Sequence, residues 1–203
     1  MTAQKTSGKS HGSRSARLIV FFVLLVLALF LTLIHSLTRQ PPPPPAGEAT
    51  SPGETTTATA DHVYDGDTLR LHSGRKVRLL GIDALDSHNE NRLREQAWQL
   101  GMGRAAVRKW SDRATRRAKE LVEDRPVRLE FGPERADEYG RLLAYVFFER
   151  DGRSANLNRL LLREGLATAT RSFPHPRREA FIALEQRAKN QNRGLWKDAT
   201  AAP

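Results

Sequence analysis

The sequence predicts an α+β domain, mainly β, in which about five strands close a small barrel with helices set between and after them. One transmembrane helix is expected ahead of it. Three observations carry this. Short β-rich runs alternate about Gly-containing turns between Asp61 and Ile82 and again between Pro126 and Gly152. A proline-free stretch rich in Arg, Ala, Leu, Glu and Gln separates the two blocks. Two amphipathic segments with helix-ending signals follow them.

The first 50 residues belong to no folded domain. Residues 1–17 form a basic segment with Lys5, Lys9, Arg14 and Arg17. Leu18 to Ile34 is a run of 17 residues, apolar apart from Thr32, and extension through Leu37 gives 20, enough to cross a bilayer core of roughly 30 Å. Only Arg39 follows closely, so the cationic side predicts a cytoplasmic N-terminus and a domain outside the cytoplasm, periplasmic or extracellular. A cleaved signal peptide is the competing reading. Against it, the run exceeds the usual 7–15-residue apolar core and no small-x-small site follows. Pro41 to Pro45 favour an extended spacer, and the Ser, Thr, Gly and Ala after them cannot bury a core. Residues 38–57 are therefore expected to be a disordered linker, 58–198 the domain and 199–203 a tail.

Within the domain, Thr68 to Leu71 and Lys76 to Ile82 flank the turn His72-Ser73-Gly74-Arg75 and predict a hairpin. Residues 91–123 predict helix, broken or kinked at Gly101 and Gly103. Pro126 opens a strand over Val127 to Phe131, and Gly140 to Glu149 forms another, turned by Asp151-Gly152. Asn156 to Glu164 puts Leu157, Leu160 and Leu161 on one helical face, with Gly165 as its stop. Arg177 to Asn190 is the last helix, with Phe181, Leu184 and Ala188 inward, and Trp196 packs back on the domain.

The chain carries 33 Lys and Arg against 23 Asp and Glu. Beyond residue 50 the balance is still about +6, which attracts polyanions without sequence recognition. The absence of cysteine excludes disulfides, thiolate metal sites and cysteine nucleophiles.

Chemistry concentrates in three clusters: Asp65-Gly66-Asp67-Thr68 at a strand entrance, Arg78 to Asp86 where a strand delivers a cation and then two carboxylates, and Asp137-Glu138-Tyr139-Gly140-Arg141. Each alone is an ordinary turn or a solvated strand face. Their order and spacing together resemble the staphylococcal nuclease, or thermonuclease-like, family. The resemblance runs from about Val63 to Trp196 through VYDGDTLRL, VRLLGIDA, DEYGRLLAYV, Asn158 with Leu161, Gly165-Leu166-Ala167 and Gly194-Leu195-Trp196.

That resemblance implies a five-stranded OB-type barrel with helices and a calcium-dependent phosphodiesterase acting on DNA and RNA. It assigns Asp67, Asp83 and the Ala84 carbonyl to calcium, Arg78 and Arg141 to the phosphate, and Tyr139 to the nucleotide. The family's Pro-Glu after this segment is Leu85-Asp86 in this chain. Asp86 is expected to fill the general-base role with a carboxylate withdrawn by roughly 1.5 Å. Glu90 would substitute only if the next loop folded back. Arg171 and Phe173 stand where the family often has tyrosines against the base, and Arg163 and Glu185 match a structural ion pair. The alternative function is a catalytically weak or inactive OB-type module that binds nucleic acid at the membrane. A tethered protein scaffold is the third reading, and nothing in the sequence favours it.

Overall fold

The computed structural model describes residues 53–171 and 174–199. Strand β1 spans Thr55–Val63, β2 Thr68–Leu71, β3 Lys76–Leu79 and β4 Ile82–Ala84. Helices α1 (Glu90–Gln99) and α2 (Arg104–Val122) follow, then β5 (Arg125–Ala136), β6 (Leu142–Arg150) and β7 (Arg153–Asn156). Helix α3 (Leu157–Glu164), β8 (Ala167–Ala169), α4 (Arg178–Asn190) and a 3₁₀ turn at Gly194–Lys197 complete the domain.

Five strands close a barrel in the order β3-β2-β1-β5-β6, and β6 returns to β3 in parallel, with Arg78 opposite Leu143. Closure removes the exposed edges that an open sheet would leave. Strand β7 extends β6 as a hairpin, and β4 pairs with β8 as a separate ribbon. The expected hairpin is the β2–β3 pair. The expected helix of 91–123 is two helices: Gly101 takes a positive φ of 59° between them and Gly103 caps the second.

Three boundaries differ from expectation. The strand expected from Lys76 to Ile82 ends at Leu79, and after Gly81, at a φ of 81°, Ile82 opens β4, which pairs with β8 instead. Strand β1 begins at Thr55, inside the stretch assigned to the linker, because Thr55, Thr56 and Thr57 pair with Glu130, Leu129 and Arg128 of β5. β-Branched threonine suits a strand once a partner edge exists, whatever its local pattern. Strand β5 continues past Phe131 to Ala136, with a register shift where Gly132 and Pro133 interrupt the ladder.

The core joins barrel to helices. Leu69, Val77, Leu79, Leu129 and Val146 are buried on the strands, and Leu161, Phe181 and Leu195 on the helical side. Helix α2 buries Val107, Trp110, Ala114, Ala118 and Leu121, an i, i+3, i+4 stripe. Asn156 caps α3, whose end at Gly165 has a φ of 68°. Fully buried Asn158 ties three segments: its Oδ1 accepts from Val146 N at 3.0 Å and its Nδ2 donates to Leu80 O at 2.9 Å. The basic segment, the helix expected at 18–37 and most of the linker lie outside the described residues. Among the described residues no helix is long and apolar enough to cross a membrane.

His175 gives the fold a pH dependence. The ring is buried, its Nδ1 lies 2.8 Å from the Tyr145 hydroxyl, and Nε2 has no hydrogen-bond partner among the described residues. Burial, with Arg178 and Arg177 adding repulsion, holds its pKa below the ordinary 6.5. The unfolded chain therefore takes up this proton first as pH falls. Stability from the neutral ring is fully present above pH 6.5 and drains as pH drops from there towards the lower folded value. Urea midpoints at about pH 7.5 and 5.5 should show a loss on acidification that is smaller in His175→Gln.

Candidate active site

Strand ends on one side of the barrel gather the charged residues. The β1–β2 turn carries Asp65 and Asp67, β3 carries Arg78, β4 carries Asp83 and Ala84, and the β5–β6 turn carries Tyr139 and Arg141. Antiparallel pairing sets Thr68 opposite Arg78, which brings the Asp-Gly-Asp turn against the cation. Gly66 makes the close approach possible: a Cβ there would lie 2.6 Å from that of Ala84 and 2.7 Å from that of Ala114.

Arg78 joins the two acids. One guanidinium nitrogen, Nη1, meets Asp67 Oδ1, and the other, Nη2, donates to Asp83 Oδ1 at 2.6 Å. Asp67 is 5% exposed, and its second oxygen accepts from Ala84 N at 2.5 Å while Thr68 Oγ1 donates to the first at 3.1 Å. Asp83 Oδ1 also accepts from Arg92 Nη2 of α1 at 2.6 Å. Burial pulls the Arg78 pKa down, Asp83 and Asp65 push it back up, and Arg141 lowers it.

Asp67, Arg78, Ala84, Asp86, Tyr139 and Arg141 line one cavity of about 450 Å³. Arg78, Tyr139 and Arg141 also border an adjoining cleft of about 480 Å³. The structure thus brings together the residues assigned to metal, phosphate, base and nucleotide, with Asp83 reached through Arg78. Arg141 is held by Asp137, whose Oδ2 accepts from Nε at 2.7 Å and whose Oδ1 accepts from the Arg141 and Tyr139 backbone N–H groups. Tyr139 is 76% exposed, open to a ligand. Asp86 faces the cavity with its N–H donating to Gln96 Oε1 at 3.0 Å and its Oδ1 accepting from His88 N at 2.7 Å.

Three neighbours have no role assigned from the sequence. Asp65 lines the cavity, and burial raises its pKa from the ordinary aspartate value against the pull of Arg78 and Thr68. Its signal was the Asp-Gly-Asp motif itself. Arg92 and Gln96 reach the site from α1, which no local pattern announces. Other expectations need correction. Glu90 is no substitute base: it is exposed and pairs with Arg108 of α2, away from the cavity. Glu185 does not pair with Arg163. Its buried carboxylate takes Arg171 at 2.5 Å and Lys189 at 3.5 Å, because Arg171 follows β8, where Ala169 N also donates to Glu185 at 3.4 Å. Arg171 is therefore held by an acid, and Phe173 lies outside the described residues.

The donor set suits a hard cation. Asp67 and Asp83 offer carboxylate oxygens already turned to one shared cationic group, Arg78. Among the described residues no three or more His, Asp or Glu side chains form a group able to hold a metal, so these two would need backbone and solvent oxygens beside them.

A model of the staphylococcal nuclease homologue family matches residues 76–198. The endonuclease YncB of Bacillus subtilis (strain 168) is 34% identical over 144 residues, covering 68% of this chain and 60% of that protein. An uncharacterized endonuclease of Escherichia coli is 31% identical over 70% of this chain and 77% of its own length. The thermonuclease of Staphylococcus hyicus is 24% identical over 86% and 94%, respectively. The chain thus spans three-fifths of the Bacillus relative's length.

Proposed function

Because the chain belongs to the staphylococcal nuclease family, we propose that it is an endonuclease hydrolysing DNA and RNA backbones with calcium as its metal. The observation that carries the proposal is Arg78 bound to both Asp67 and Asp83 while Arg141 borders the same cavity. Asp67, Asp83 and the Ala84 carbonyl would hold the ion, which as a Lewis acid polarises the phosphodiester and offsets its developing charge.

The chain's own groups do the rest. Arg78 and Arg141 bind the phosphate oxygens with paired N–H groups and remain charged throughout, a preorganised field that needs no rearrangement as charge builds up. Asp86 holds the attacking water and takes its proton. A new P–O bond forms in line as the bond to the 5′ oxygen breaks, and that oxygen takes a proton from solvent, leaving a 3′-phosphate and a 5′-hydroxyl. Tyr139, exposed beside Arg141, packs against the nucleotide. Contacts to phosphate and sugar carry no base readout, which fits a sequence-nonspecific enzyme. We extend the proposal to location: the apolar run 18–37, with cations mostly before it, anchors the domain outside the cytoplasm.

One observation favours the binding-module alternative. Asp86 is short and held from behind by Gln96 and His88. The full chain incubated with single-stranded DNA should cleave it with calcium and stop when a chelator is added. Salt-sensitive binding without cleavage at any pH would select the binding module instead.

A further inference from the structure

A second basic surface lies on α2, outside the catalytic cavity. A cleft of about 550 Å³ between α2, α3 and the 3₁₀ turn is lined by Trp110, Arg113, Arg116, Arg117, Glu164 and Lys197. Glu164 and Glu120 also border it, and both are committed to Arg117: Glu164 takes Nε and Nη2 at 2.9 Å each, and Glu120 takes Nη1 at 3.3 Å. Arg113, Arg116 and Lys197 are exposed and have no carboxylate within ion-pair distance among the described residues. The Arg113 guanidinium, which lines the cleft, sits 5.1 Å over the Trp110 ring, a stacking that limits its freedom.

The same helix packs behind the loops that carry the catalytic site. Ser111 Oγ lies 3.1 Å from Ser87 Oγ, next to Asp86, and Ala114 abuts Gly66 between Asp65 and Asp67. A helix with its side chains is roughly 10–12 Å across, so site and cleft are about one helix width apart. A flexible strand lying in the cavity can round α2 and meet the free cations.

We propose that this cleft binds the phosphodiester backbone of the same strand at phosphates remote from the one being cleaved. It rests on the nuclease reading for its ligand. The occupant follows from charge: unpaired guanidinium and ammonium groups fit a polyanion, and guanidinium forks fit phosphate oxygens. The cleft adds affinity for long strands and leaves the chemical step alone.

The test uses the full chain and the variant Arg113→Gln/Arg116→Gln/Lys197→Gln, with binding measured in chelator across a range of salt. Each phosphate contact on a single strand contributes about −0.7 to the slope of log K against log salt. For a strand of about thirty nucleotides, three lost contacts should flatten that slope by about 2. KM for this strand should rise by about tenfold, with kcat and trinucleotide cleavage unchanged. Arg113→Lys/Arg116→Lys should keep the wild-type slope, and Arg116→Gln alone, on an exposed unpaired side chain, should flatten it by about 0.7. A wild-type slope in both Gln variants would overturn the proposal. So would an unchanged slope accompanied by lost binding to vesicles of phosphatidylserine in phosphatidylcholine, which would assign the cleft to lipid headgroups. If wild type binds the strand with the expected salt slope but never cleaves it, the catalytic reading fails and the cleft proposal stands.

Discussion

Replacing Arg78 with lysine is expected to lower strand cleavage by about a hundred- to a thousandfold while the domain remains folded. That is the usual cost of losing one preorganised donor to a developing oxyanion. Lysine keeps the charge but is a single point donor, and Arg78 uses separate nitrogens for Asp67 and Asp83. One ammonium cannot keep both carboxylates and also meet a phosphate with a fork. Arg78→Ala should do more damage of a different kind. Asp67 is 5% exposed and would lose its cation, leaving a buried charge without a counterpart. Such breaks cost about 3–5 kcal/mol, so urea unfolding of the alanine variant should shift by that order while the lysine variant shifts little. Near-wild-type cleavage by the lysine variant would sink the role given to Arg78.

The parts of this molecule that were legible in the sequence are those whose cause is local. The β2–β3 hairpin announces itself through alternation about Gly74, the α1–α2 break through Gly101 and Gly103, and α3 through its Asn156 and Gly165 caps. The first part of strand β1, Thr55 to Ala60, was not legible. Thr55 to Val63 lacks a clean apolar alternation, and what makes it a strand is β5 on one side and β2 on the other. The site divides the same way. Asp67, Arg78, Asp83 and Arg141 stand out because they sit at strand ends within motifs, and barrel closure through the β3–β6 pair brings them together. Arg92 and Gln96 stay hidden because a helical Arg or Gln looks like any solvated residue until the helix docks against Asp83 and Asp86. The partner of Glu185 was misassigned for a related reason. Resemblance supplied Arg163, but the buried acid is satisfied by the nearest cation after β8, Arg171.

Asp86 is expected to be the residue that limits the rate, so lengthening it should speed the enzyme. The backbone at this position is pinned by Gln96, and the carboxylate bends back to accept from His88 N, a local turn that the short aspartate side chain favours. Asp86→Glu cannot close that turn as well and carries its oxygens roughly 1.5 Å further into the cavity. A displacement of about 1 Å in a catalytic group is worth on the order of a hundredfold, so kcat should rise by about ten- to a hundredfold with KM little changed. Asp86→Ala should fall below wild type by about a hundredfold, the lower range of a general-base contribution. Gln96→Ala, which frees the loop without touching the acid, should lower kcat while the glutamate variant made on top of it recovers part of the loss. The ordering glutamate, aspartate, alanine in single-turnover cleavage is the signature of a base set too far back. Equal rates for all three would mean that Asp86 takes no proton, and the water would have to be activated by another group of the cavity, such as Asp65, a second carboxyl lining it.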